Sequence, residues 1–297
     1  MRRKRPGWRY IIVNTILPYI IASVGVLVLY SFINWAFIIK LKVIEPQHDI
    51  VEFFVPAAIT GLIVLFYLRQ KLSIFKINDR AQSIILFMGW VGLMLSVGMT
   101  QNYLEAECGK LNILTNPDQI FNHEISKYYS IKKATPKKGF TGTFINEYTV
   151  NKGSEIVVAC NFVCPLGDFI NINGSNNIWI SVCFSKKYSN RLFDDKVQQK
   201  RSTQAFVDST ITKYQSYNYP ISYLERQQLN ESDAFINAIN RTHLKYDVNK
   251  LIILTEPSRS YEDRTAGSGT FALVSFAVSN LFWILACVIS YFESYHK

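Results

Sequence analysis

Residues 10–39 read YIIVNTILPYIIASVGVLVLYSFINWAFII, a run without a single charge. As a helix rising ~1.5 Å per residue it would reach roughly 45 Å, more than the ~30 Å of hydrocarbon in a bilayer. It must therefore tilt, kink or protrude, and Pro18 is the expected kink because it lacks the N–H that the helix needs there. Trp8, Tyr10 and Trp35 stand near the ends, where amphipathic rings favour the headgroup layer. Three further apolar runs follow at 51–68, 81–99 and 270–292. A soluble core has no use for four such runs, so the chain reads as an α-helical membrane protein. The expected fold is four transmembrane helices plus one α+β extracytoplasmic domain inserted between helices 3 and 4. Its divisions are 1–99, 100–269 and 270–297.

The chain is 49% hydrophobic with a formal charge of +10, which superficially resembles a nucleic-acid-binding protein. The distribution of charge excludes that class. Between 100 and 269 there are 20 Lys+Arg against 17 Asp+Glu, so most of the excess lies beside the apolar runs. There it acts as an orientation signal. Arg2, Arg3, Lys4, Arg5 and Arg9 precede the first run, and Arg69, Lys71, Lys76 and Arg80 lie between the second and third against a lone Asp79. The loop between the first and second runs balances Lys40 and Lys42 with Glu45 and Asp49. Both termini are accordingly expected in the cytoplasm and block 100–269 outside it. A cleaved signal peptide would also begin with basic residues. The first run is much longer than an apolar signal segment of ~7–15 residues, and no small-residue cleavage pattern follows it, so it reads as an anchor.

With Glu52 at the edge of the second run, the four apolar cores hold no charged side chain, which counts against an ion or proton pathway. Gly92 and Ser96 in the third run have the small-xxx-small spacing that lets helices approach closely, although glycine content alone would produce it too.

Block 100–269 reads as strands first and helices later: apolar-rich strands at 140–150, 155–164 and 178–184, then helices over 194–214 and from an N-cap at Ser232, then a short strand at 251–254. Asn151-Lys152-Gly153-Ser154 is a hairpin signal. That order suggests a sheet covered by helices on one face.

Cys108, Cys160, Cys164 and Cys183 fall in this block and Cys287 in the last run. An even number of cysteines outside the cytoplasm permits disulfides, and four allow three connectivities. Cys160 and Cys164, ~13 Å apart on one extended strand, cannot bridge each other, so Cys160 with Cys183 is the first choice, with buried free thiols as the alternative. Neither zinc spacing, a second histidine after His123-Glu124, a Walker loop nor a dinucleotide fingerprint is present, and no cofactor is expected. His123 and His243 read as solvated surface residues. Ala266-Gly267-Ser268-Gly269 before the last run is similar to a serine nucleophile beside a membrane helix, but no histidine-bearing helix follows in this sequence, and the stretch reads as a Gly/Ser linker. Sequons at Asn173, Asn230 and Asn240 read as chance in a bacterial chain.

Three groups of residues keep the same order and place relative to the apolar runs as in a known module. They are Trp8-Arg9-Tyr10; Gln101-Asn102-Tyr103-Leu104-Glu105 with Gly109-Lys110-Leu111; and Glu256-Pro257 with Glu262-Asp263-Arg264. Scattered over nearly the whole chain, they resemble the N-terminal membrane module that precedes the protease domain in some bacterial rhomboid-family intramembrane proteases. No rhomboid active-site residue has a counterpart here, so the resemblance implies an accessory or sensing module.

The expected function is a non-catalytic subunit or adaptor in the bacterial cytoplasmic membrane. Its partners would be the lipid bilayer and other membrane or periplasmic proteins, with no nucleic acid. Two alternatives are an enzyme acting on lipid or envelope polymer through Asp168, Glu147 or His123, and a remnant or accessory of a rhomboid-type protease system.

Overall fold

The computed structural model describes residues 7–40, 50–73, 78–167, 170, 174–189, 196–219, 223–229, 232–257 and 259–296. Arg2, Arg3, Lys4, Arg5, Lys76 and Asp168, and the sequon asparagines Asn173 and Asn230, lie outside the described residues. Two compact units share the chain, Met1–Gly109 with Glu262–Lys297, and Lys110–Tyr261.

The first unit holds four helices long and apolar enough to cross a membrane: α1 (Trp8–Phe37), α2 (Val55–Leu72), α3 (Asp79–Cys108) and, after the second unit, a last helix whose apolar part is Ser268–Phe292. Their outer faces are strongly apolar and exposed, with Phe66, Phe271 and Leu273 each about 70% accessible, as a lipid-facing surface would be. Around Pro18, α1 continues without a break. A wide π turn over Ile12–Ile16 precedes the proline, a common way for a helix to absorb a missing hydrogen bond. The start of α3 is capped by Asn78, whose side chain accepts from Arg80 N at 3.1 Å.

Polar side chains turn inward among these helices. The Tyr19 ring stacks on Trp283 with centroids 4.4 Å apart, its hydroxyl lies 2.7 Å from Ser279 Oγ, and Trp283 Nε1 donates to Thr15 O at 3.3 Å. Ser23 Oγ donates to Asn280 Oδ1 at 3.1 Å. In a bilayer, whose lipid tails offer no hydrogen bonds, such bonds would join the helices. Gly89 lies flat against Trp283, and a Cβ there would come 2.8 Å from the indole. Gly92 faces Ser279, whose Oγ would block any side chain at that position. Ser96 is buried and donates to Gly92 O at 2.7 Å.

The unit boundary differs from that read in the sequence, Gly109/Lys110 in place of 99/100 and Tyr261/Glu262 in place of 269/270. Gln101 is the reason at the first boundary. It is buried in α3, accepts a bond from Asn34 Nδ2 and donates to Ser31 Oγ at 3.2 Å, so the helix continues two turns past its apolar core. At the second, Arg264 donates to Ala106 O at 3.0 Å and Glu107 O at 3.1 Å and pairs with the Glu107 carboxylate at 3.6 Å, satisfying carbonyls left over at the end of α3. Ala266 to Gly269, expected as a linker, is a turn leading into the last helix, and the Ser268 hydroxyl is spent on Thr265 O at 2.8 Å.

The second unit is a seven-stranded mixed sheet: β1 (Leu111–Leu114), β2 (Tyr128–Ile131), β3 (Gly142–Val150), β4 (Glu155–Pro165), β5 (Ile178–Ser189), β6 (Leu224–Arg226) and β7 (Ile252–Thr255), in the order β1-β2-β6-β7-β5-β4-β3. β1 with β2 and β5 with β7 are parallel, and the other pairs are antiparallel. The β3–β4 hairpin turns through Asn151, Lys152 and Gly153, all at positive φ, where Asn and Gly are the low-cost residues.

Helices cover both faces of this sheet, not one. Ile156, Val158, Cys160, Phe162 and Cys164 of β4 join a core with Val207 and Tyr214 of α4 (Lys196–Ser216). Val163, Trp179 and Ile253 face the other way, against Ala238 and Ile239 of α5 (Asp233–Asn240). A strand apolar at both parities needs cover on both sides, and β4 is one. Ser232 stands at the N-cap position of α5, but its hydroxyl donates to Gln228 O at 2.6 Å and does not cap the helix. The last helix of the first unit, Ser268–His296, is α6.

Cys160 and Cys183 are both free thiols, and the expected bridge between them is absent. The register explains this. Cys160 sits opposite Phe184 and Cys183 opposite Asn161, one residue out of step, so the two side chains leave the sheet on opposite faces.

Candidate protein interface

The residues singled out for chemistry do not converge. Glu147 lies on β3, exposed, accepting from Gln199 Nε2 at 3.0 Å. His123 is exposed and follows the turn Pro117–Asn122 that packs beside β1, the opposite edge of the sheet from β3. His243 is exposed in a left-handed loop position, φ 60°. Among the described residues no group of three or more His, Cys, Asp or Glu is arranged to hold a metal. Of the basic residues described at the helix ends, Arg9, Arg69 and Arg80 are exposed, and Lys71 Nζ stands 5.7 Å from the Tyr67 ring centroid.

In the sheet domain a polar cluster around Cys164 is buried, and it belongs to the core. Cys164 bonds the hydroxyls of Tyr219 and Tyr214; burial pushes its thiol up to about 11, with those two bonds opposing the rise. Tyr214 also bonds Thr141 Oγ1 at 2.9 Å and stacks on Phe162 at 4.2 Å, and burial pushes its hydroxyl up to about 12. Lys138 donates to the carbonyls of Tyr214, Gln215 and Tyr217, where a cation suits the end of α4. Thiol and phenols are thus held neutral and bonded to one another, the reverse of an activated nucleophile.

What remains open is an edge. Among the described residues β3 ends the sheet and pairs on one side only, with β4, over nine residues from Gly142↔Val163 to Val150↔Glu155. Which of its backbone groups face outward follows from parity. Leu166 N donates to Ile178 O at 3.0 Å, so even-numbered residues of β4 bond β5 and odd-numbered ones bond β3. Asn161, Ala159 and Val157 lie opposite Phe144, Asn146 and Tyr148, whose backbone groups are therefore used. Thr143, Ile145, Glu147 and Thr149 then present their N–H and C=O groups outward. Arg241 agrees with this assignment, because its Nη1 reaches Thr143 O at 3.1 Å while its guanidinium sits 4.9 Å from the Phe144 ring centroid. β3 contains neither Lys nor Pro, the residues with which edge strands discourage pairing. β1, at the other edge, has four residues.

Sequence reasoning marked Glu147 for its carboxylate and missed that its strand ends the sheet. The absence of Lys and Pro from 142–150 was visible, but whether the strand lay at an edge depended on the sheet order.

No protein-family model matches this chain, and no curated protein and no solved structure matches it.

Proposed function

We propose that this protein is a non-catalytic integral membrane subunit or adaptor whose sheet domain binds a protein partner along β3. The open nine-residue edge carries this reading, since an added strand gains backbone hydrogen bonds along the edge and alternate side-chain contacts. The four apolar helices support membrane anchoring. Basic flanks, including Arg9, Arg69, Lys71 and Arg80, support cytoplasmic termini and a sheet domain on the outer side of a bacterial cytoplasmic membrane. The resemblance to the rhomboid-associated module supports an accessory role in a larger membrane assembly.

The test is purification of the full chain in mild detergent, with mass spectrometry of what accompanies it. A stoichiometric complex is expected. Recovery of the chain solely as a monomer, also after cross-linking in the membrane, would overturn the reading.

A further inference from the structure

We infer that the partner laid on β3 is a second copy of the same strand, antiparallel and centred on Asn146, an inference that rests on β3 being the docking edge. Residues 143–149 read Thr-Phe-Ile-Asn-Glu-Tyr-Thr, so reversal keeps Thr at both ends and Asn146 at the centre, exchanges Phe144 with Tyr148, and differs in kind only at Ile145 and Glu147. Antiparallel pairing about Asn146 sets Thr143 against Thr149 and Phe144 against Tyr148 of the other copy. Thr–Thr and aromatic–aromatic cross-strand pairs are among the favourable ones. Ile145 meets Glu147, the least complementary pair, and the Glu147 carboxylate is already bonded by Gln199.

The backbone permits the same register. Thr143, Ile145, Glu147 and Thr149 are the outward residues, and pairing about Asn146 matches outward with outward at all four. A register shifted by one residue would set outward groups against inward ones, and larger shifts shorten the overlap. The Thr143 carbonyl can keep its bond from Arg241 and accept a second, because it has two lone pairs. The contact is isologous, each copy using the same patch, so it closes as a dimer and does not propagate into a fibre. Charge does not oppose it, since Glu147 is the only charged residue of β3. The β1 edge, Leu111–Leu114, lacks the length.

This register puts the two Asn146 residues opposite each other as a non-hydrogen-bonded pair, with Cα atoms ~4.5 Å apart, inside the range of a disulfide. The experiment uses the full chain with the exposed Cys183 and the half-buried Cys108 replaced by Ser, carrying Asn146→Cys, Tyr148→Cys or Lys186→Cys, oxidised in native membranes. Expected is a disulfide-linked dimer from Asn146→Cys, at least fivefold more abundant than from the other two. Adding Ile145→Pro should abolish it while the circular dichroism spectrum is retained, because that N–H faces outward and is not used within the sheet. Ile145→Lys, which leaves the backbone intact, should weaken it in the same way.

Equal cross-linking at all three positions would mean random collision and overturn the inference. A photo-cross-linker at position 146 that captures a different protein and never the same chain would also overturn it, while leaving the partner-binding reading standing. No adduct of either kind would remove both.

Discussion

Cys164 is fully buried, and the loss of solvation outweighs the opposing bonds from two tyrosine hydroxyls, so its thiol ionises more easily in the unfolded chain than in the folded one. Its pKa rises from an ordinary value of 9.0 to about 11 on folding. The resulting stability is complete below pH 9 and is lost as pH rises from 9 through 11, because only the unfolded chain releases the proton over that window. The sheet domain should lose on the order of 2–3 kcal/mol across it. Cys164→Ala should make that dependence shallower in urea titrations run at successive pH values, the buried Tyr214 hydroxyl supplying what remains at the alkaline end, although the change lowers stability at neutral pH. At Gly142 the constraint is space, because a Cβ there would run into the Ala238 carbonyl oxygen of α5. Gly142→Ala should destabilise the domain by about 1–3 kcal/mol, read from the same titrations. Neither role was visible in sequence. Cys164 was one of four cysteines of unknown partner, and Gly142 was one glycine beginning a strand, until α5 crossed it.

At the scale of elements, long apolar segments were legible and short ones were not. All four membrane-length helices stand where the apolar runs are, and β3, β4, β5 and β7 stand where β-branched and aromatic residues alternate or cluster. β1, β2 and β6 have three or four residues each, too few to establish a period. The pairing of β2 with β6 is also remote, across about a hundred residues, which hid the sheet order and with it the open edge. The extension of α3 past the apolar run was hidden too, because Gln101 is polar and buried only by its bonds to Asn34 and Ser31. That pairing is testable in detergent unfolding. Gln101→Leu alone should cost about 1–2 kcal/mol by stranding the Asn34 amide, and the double change Asn34→Leu with Gln101→Leu should recover most of it.

For the whole molecule, four helices that bury their polar side chains inward and show apolar faces outward carry a sheet domain with one long open edge. The reading of this chain as a membrane-held adaptor depends on which side of the membrane that domain occupies, because the side determines which partners it can reach. Cys183 is the natural probe: it is exposed on β5, whereas Cys160, Cys164 and Cys287 are buried. In a chain with Cys108→Ser, a membrane-impermeant maleimide is applied to intact spheroplasts and to permeabilised ones, with Cys183→Ser as the blank. Our account predicts full labelling of Cys183 in intact spheroplasts, unchanged by permeabilisation. Labelling that appears only after permeabilisation would place the domain in the cytoplasm and contradict it.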